Sequence, residues 1–401
     1  MSRLQRYFNV SLFFWFLVAT YGYILRWHMW NPLPIRFPYW LHAHSHGAFL
    51  GWLHAAFTVL LAVALIPKLG ESKKFGRLFV FSQIMVAAMM ISFPIQGYKA
   101  FSIAFLSLFL LGTYILAYWF LKKTETRKQF PATYSLTRSA IIFMIISSLS
   151  PWALGPVLVF LGKKSIWYNL DIYFYLHFQY NGWFFLSMLA LLIYLLEKNG
   201  SRFDSAKITR INGLLFAGIL LGYLTNTLWT RPPVYVNFLA LISVVLEATG
   251  LWLLYRLIRH ETAPWNTNRF MKNIFNLILM AIAVKILLQF TASCPYFAEV
   301  TYKTRDLIIG YLHWVMLVLY SVAILFIATQ MKFYRLSPKP FWFFYTGLML
   351  MEGFIFLRGT DFWLKWHLTL PYNLLILIAT TWMYLGIIVL SFSWKKENTS
   401  S

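Results

Sequence analysis

Residues 41–66 read LHAHSHGAFLGWLHAAFTVLLAVALI. From His46 onward the run holds no Asp, Glu, Lys or Arg, and it reaches the length of about 20 mostly apolar residues that a helix needs to cross a bilayer. Three histidines at alternate positions, His42, His44 and His46, open the run, and a fourth, His54, lies inside it. Imidazoles at the mouth and in the body of an apolar helix are costly in lipid, so the reading starts from a membrane span with a function at its entrance.

The rest of the chain follows the same pattern. Of 401 residues, 60% are hydrophobic and 12% charged, against about 25% charged in a soluble domain, too few to clothe a soluble surface. Apolar runs near 8–26, 46–66, 79–97, 102–121, 139–161, 176–196, 211–229, 236–257, 273–292, 307–329, 341–357 and 373–393 predict twelve spans. Pro151 and Pro156 interrupt the fifth, as spans tolerate when neighbours satisfy the freed carbonyls. The net charge of +23 sits in short gaps between these runs, where basic side chains meet anionic lipid. No soluble basic domain is present, and nucleic acid is excluded as a partner; the lipid bilayer is the expected one.

The gaps also orient the chain. One set of alternate loops, with both termini, carries 24 Lys and Arg; the opposite set carries 10, and Lys285 falls inside a span. Basic residues accumulate on the cytoplasmic side, so both termini are expected in the cytoplasm and the protein in the bacterial inner (cytoplasmic) membrane. Outer loops are rich in Trp and Pro, such as Trp27, Trp30, Trp40 and Pro32, as an interfacial belt would be. The apolar run after Arg3 and Arg6 is long enough to span and has no small-residue cleavage site after it, so a span rather than a cleavable leader is expected there, and Cys294, being single, forms neither an internal disulfide nor a thiolate cluster. The chain reads as one transmembrane domain, 1–401.

A weak internal repeat appears within it. His46 is followed by Gly51-Trp52 and His177 by Gly182-Trp183, both as His-x4-Gly-Trp; Tyr175-Leu-His177 recurs as Tyr311-Leu-His313. The histidines are 131 and 136 residues apart, four spans each, and open spans 2, 6 and 10 from the same side. The expected fold is therefore all-α, twelve transmembrane helices in three four-helix units (about 1–135, 136–270 and 271–401) around a pseudo-threefold axis, bringing the three imidazoles to one neighbourhood or into related pores. The plain alternative for each is a histidine that caps a helix or bonds a headgroup.

With twelve spans, four-span repeats and histidines on spans 2, 6 and 10, the chain resembles the central subunit of haem–copper oxidases and nitric oxide reductases. Trp40-Leu-His42-Ala-His44 is also similar to the Trp-His-Ala-His stretch of the NnrS family of haem-containing membrane proteins linked to nitric oxide. The resemblance implies a membrane oxidoreductase function with haem held by His46 (or His42 or His44) and His313, and copper at His177, supplied by an electron-donor protein or quinol. The family's paired copper histidines on span 7 are missing from Ile211–Trp229, and span 10 carries only His313. The resemblance therefore implies one haem or one metal, without a full binuclear centre or proton-pumping oxygen reduction.

Other residues carry their own chemistry. In extended backbone His42, His44 and His46 share a face and could hold copper or zinc; in a helix only His42 and His46 do. His54 falls near the face of His46 if the intervening helix is regular and is a second haem-ligand or proton-relay candidate. Gln179, Tyr180 and Asn181 stand beside His177 as hydrogen-bond partners. Glu247, Lys285 and Glu352 are deep charges that must turn inward and pair, either as a lock or as a proton or ion path. No nucleotide loop, nucleophile elbow or Cys-x-x-Cys is present. Three functions compete: a haem or copper redox protein, a proton- or ion-coupled transporter using the deep charges, and a non-catalytic assembly factor.

Overall fold

In the computed structural model the described residues are 1–261, 263, 265 and 268–393, and among them helices joined by short turns account for the ordered structure, with no strand. Lys395 and Lys396, counted above among the cytoplasmic charges, lie outside the described residues. Among the described residues twelve helices are long and apolar enough to cross a membrane, which makes this a multi-pass α-helical membrane protein. They are Arg3–Trp30, Phe37–Leu65, Lys73–Gln96, Ala100–Lys122, Pro131–Leu161, Ile166–Lys198, Ser205–Thr230, Val234–Ile258, Arg269–Ala292, Arg305–Gln330, Pro338–Leu364 and Tyr372–Phe392, spans 1 to 12.

The spans start earlier than their apolar runs, and several are nucleated at a polar cap outside the run. Ser2 accepts from Gln5 N–H, Ser72 from Phe75 N–H, and Asp204 and Asn268 each accept from two backbone N–H groups. These bonds satisfy first-turn donors that have no partner within the helix. Span 2 begins at Phe37, so the His-x-His-x-His run is helical and not extended. The helix puts His42 and His46 on one face and turns His44 away from it. The fifth span stays helical through Pro151 and Pro156, ending in a short π-helical turn, Val157–Leu161.

Spans 2, 6 and 10 differ from the rest in two ways. Their apolar windows are 89, 100 and 78% buried, whereas no other span exceeds 50%. Each also changes to π-helix directly after its histidine: Gly47–His54 after His46, Phe178–Phe184 after His177, and Trp314–Ser321 after His313. The π-helix is rare and concentrates at functional sites. It also breaks the α-helical step, so the regular spacing that put His54 near the face of His46 does not hold.

The described residues form two compact units, Met1–Trp119 with the part from Ser321 onward, and Phe120–Tyr320. Each repeats the same local devices. In the first, Gly51 leaves room for Phe14 of span 1; in the second, Gly182 leaves room for Phe143 of span 5. A methyl group at either glycine would collide with the ring, so the Gly of His-x4-Gly-Trp is there for close helix approach. In the first unit Glu71, just beyond span 2, accepts from the N–H groups of Arg3 and Leu4. In the second Glu197, at the end of span 6, accepts from Ala132 N–H, Thr133 N–H and the Thr133 hydroxyl, at 3.0, 3.0 and 2.6 Å. A carboxylate at or just beyond the end of the following span thus caps spans 1 and 5, where the helix dipole also favours negative charge.

Replacing Glu197 with Ala removes a buried acceptor from three donors. We expect a loss of about 1–3 kcal/mol, read as a lower midpoint in thermal unfolding of the detergent-solubilised protein. Glu71→Ala, at a more exposed site, should cost less.

Candidate functional site

Lipid offers a charged group no hydrogen bonds, so a lysine inside a span must be satisfied by protein. Lys285 of span 9 is wholly buried, its side chain 0% exposed, and its Nζ donates to Glu247 Oε1 of span 8 at 2.7 Å; the glutamate side chain is 3% exposed. A second proton of the ammonium goes to Gln289 Oε1, one turn along the same helix, at 2.9 Å. The ammonium also stands 4.4 Å from the ring centre of Phe185 on span 6, within cation–π range. Gly218 of span 7 lies against the backbone of Ser243 and Glu247, closing that side with no room for a side chain.

From this pair a directed chain of hydrogen bonds runs to the span 6 histidine. Because Lys285 can only donate, the oxygen of Gln289 faces it and the Gln289 Nε2 donates onward to Asn181 Oδ1 at 3.4 Å, the weakest link. With its oxygen engaged, Asn181 donates through Nδ2 to His177 Nδ1 at 3.1 Å. Asn226 of span 7 donates to the same nitrogen at 3.2 Å. Nδ1 must therefore hold the lone pair, and the ring proton lies on Nε2, which donates to the Ile219 carbonyl at 2.8 Å. The cation at one end thus fixes the orientation of two amides and agrees with the tautomer of His177 at the other.

The neighbours stiffen the arrangement. Tyr320 donates its hydroxyl to the Tyr180 carbonyl, and Gln179 Nε2 donates to Ser147 Oγ at 3.0 Å. Trp314, the residue after His313, donates to the Ala281 carbonyl of span 9 at 3.1 Å. Of the three residues expected to partner His177, Asn181 does so, Gln179 turns to Ser147, and Tyr180 meets the imidazole only ring to ring, edge-on at 6.3 Å. Two members of the network escaped the sequence reading. Gln289 could have been found four residues after Lys285 on one helix face. Asn226 had no such signal, because it is 49 residues from His177 and meets it only where span 7 tightens into the 3₁₀ turn Tyr223–Thr230.

The remaining candidates belong elsewhere. In the first unit His46 Nδ1 donates to its own His42 carbonyl at 2.9 Å, and its Nε2 receives the Tyr98 hydroxyl at 3.2 Å. His44 Nδ1 donates to the Val18 carbonyl of span 1 at 3.0 Å, while the His42 ring packs on Tyr98 and Phe93. His54 is buried edge-on to Phe109 at 5.3 Å. Glu352 is also buried in this unit, with Arg26 as the cation acting on it; it is not a member of the Glu247–Lys285 pair. His313 is half-buried on span 10 of the second unit.

No three His, Cys, Asp or Glu side chains among the described residues gather as a metal-binding set. His42, His44 and His46 do not form one, since helical backbone separates His44 from the other two. The fit to a haem or copper differs between the units. The one lone pair of His177, on Nδ1, already accepts from Asn181 and Asn226, so copper does not fit there as the side chains stand. His44 and His46 carry the tautomer a metal ligand uses, with Nδ1–H on a carbonyl and Nε2 as the lone-pair nitrogen. No protein-family model matches this chain, and no curated protein matches it in sequence.

Breaking a buried ion pair from one side strands the other charge. Lys285→Met should therefore destabilise the protein by about 3–5 kcal/mol, whereas Lys285→Met with Glu247→Leu should return to within about 1–2 kcal/mol of the parent. Denaturant unfolding in mixed micelles measures both.

Proposed function

We propose that this protein is a proton- or ion-coupled transporter of the cytoplasmic membrane, with both termini in the cytoplasm, and that the Glu247–Lys285–Gln289–Asn181–His177 network is its coupling element. The observation that carries this reading is the fixed polarity of the chain. It joins two titratable stations, the ion pair and the imidazole, through amides that orient but do not themselves hold a proton. A proton arriving at His177 Nδ1 would leave the amide N–H groups of Asn181 and Asn226 without their acceptor and force them to turn. Turning Asn181 releases Gln289, and Gln289 is a partner of Lys285. The charge state at one end is thereby linked to the arrangement of spans 6, 7, 8 and 9. The excess of Lys and Arg on one set of loops supports the orientation. The local devices shared by spans 1–2 and 5–6, and the π-helix that follows His46, His177 and His313 alike, support a repeat of four spans.

In proteoliposomes holding a pH-sensitive dye, an imposed potential should drive proton entry through the parent protein. Lys285→Met/Glu247→Leu should abolish it and Gln289→Leu should weaken it. Arg231→Gln, at the exposed Arg231–Glu299 pair, should leave it unchanged. Flux no greater than in protein-free vesicles contradicts the proposal.

A second reading, a membrane oxidoreductase carrying haem or copper in the first unit, has one observation in its favour: the Nδ1–H tautomers of His44 and His46. A bound group would supply one-electron chemistry to an electron-donor protein or quinol, and Tyr98 would have to release His46 Nε2. A Soret band in protein from haem-replete cells, lost on His46→Ala, supports it; neither Soret band nor bound copper removes it.

A further inference from the structure

Span 6 carries a second acid besides the cap Glu197. Asp171 lies in the second turn of the helix Ile166–His177, six residues before His177 and so about 9 Å from it along the axis at 1.5 Å of rise per residue. Glu71, Glu197 and Asp204 cap helices, and Glu247, Glu299 and Glu352 each meet a cation. Asp171 does neither. It is half-buried, and its Oδ2 accepts from the Ser150 hydroxyl of span 5 at 2.9 Å, which also donates to the Asp171 carbonyl at 2.8 Å. No Lys, Arg or His among the described residues forms an ion pair with it.

Tyr223 joins this carboxyl to His177. It opens the 3₁₀ turn of span 7 that also carries Asn226. Its hydroxyl donates to the Leu170 carbonyl at 3.1 Å, next to Asp171, whose charge acts on it. Its ring centre stands 6.1 Å from that of the His177 imidazole, at 64°. The end of span 5 and this turn are the elements packed on the stretch. The first offers no titratable side chain within two turns of Ser150, and the second only Tyr223. On span 6 itself Tyr168 and Tyr175 lie one turn to either side, and Lys163 and Lys164 are exposed in the preceding loop.

We infer that Asp171 takes up the coupling proton at the end of span 6 remote from the cytoplasm, and that Tyr223 relays it to His177. The role rests on the transporter reading, whereas protonation of the carboxyl is testable apart from it. The surroundings select a proton over a metal ion. A hard cation takes several oxygen ligands, but Asp171 has one side-chain partner, Ser150, and belongs to no cluster of metal-binding side chains. An O–H bond of hydronium breaks, leaving water, and its proton bonds to the Asp171 carboxylate. The acid then gives that proton to the Tyr223 oxygen while the phenol gives its own to His177 Nδ1, which restores the carboxylate and charges the imidazole. The Tyr223 hydroxyl must leave the Leu170 carbonyl for the second step, so this tyrosine gates the transfer as well as relaying it.

The experiment treats the full-length protein in proteoliposomes with dicyclohexylcarbodiimide, which reacts with protonated carboxyl groups, and locates the label by mass spectrometry. Asp171 should be labelled, at a rate that falls as the pH is raised from mildly acid to mildly alkaline. In the proton-flux assay Asp171→Asn keeps an acceptor for Ser150 but cannot take up a proton, and should lower flux about a hundredfold, the scale of one positioned proton-transfer group. Asp171→Glu should restore most of it, and Tyr223→Phe should lower it as Asp171→Asn does. No label on Asp171 at any pH, or flux in Asp171→Asn equal to that of the parent, overturns the inference. A pH-dependent label in a parent protein without flux would retain the proton-binding carboxyl and remove the transporter, so the two failures are told apart.

Discussion

A charge placed inside a span has no solvent to fall back on, and the second unit of this protein is arranged around that constraint. Lys285 lies deep in a helix whose other faces are largely exposed, and it is tolerable there only because Glu247, Gln289 and the Phe185 ring surround it. Attraction within such a pair roughly offsets the cost of dehydrating both partners, so the pair adds little net stability while making each partner indispensable to the other.

The network needs helices 6 to 9 at close and fixed distances, and small residues supply that. Gly218 brings span 7 against the backbone of span 8 at Glu247, and Gly222 lies beside the His177 ring. Gly182 lets span 6 close on Phe143. The π-helical segment after His177 contains both Asn181 and Gly182, so the departure from regular helix falls on the residues that hold the histidine and that allow the close approach. The same change of helix after His46 and His313 shows that the histidine repeat is carried by backbone geometry as well as by residue identity.

The count of spans was legible because lipid imposes a length and a composition on every one of them, and the inward pairing of Glu247 with Lys285 followed from the cost of leaving either in hydrocarbon. The glycines of the His-x4-Gly-Trp repeat, Gly51 and Gly182, prove to be the points of close approach to Phe14 and Phe143. Less was legible where the outcome depends on contacts far apart in sequence. Nothing local marks Glu71 or Glu197 as caps for helices 65 to 68 residues earlier, or Asn226 as a partner of His177. The π-helical segments were invisible to a reading that assumed 3.6 residues per turn, and the relation inferred between His46 and His54 failed for that reason. Glu352 was grouped with Glu247 and Lys285 by depth alone, whereas its electrostatic partner is Arg26 on span 1.

The central claim is that a hydrogen-bond chain ordered by the Lys285 ammonium ends on a neutral His177 with its proton on Nε2. Solid-state ¹⁵N nuclear magnetic resonance of the histidine-labelled protein in lipid, with His177 assigned by substitution, reads that proton directly. The account predicts a protonated Nε2 and an unprotonated Nδ1 at neutral pH. A ring protonated at Nδ1, or at both nitrogens, would contradict it.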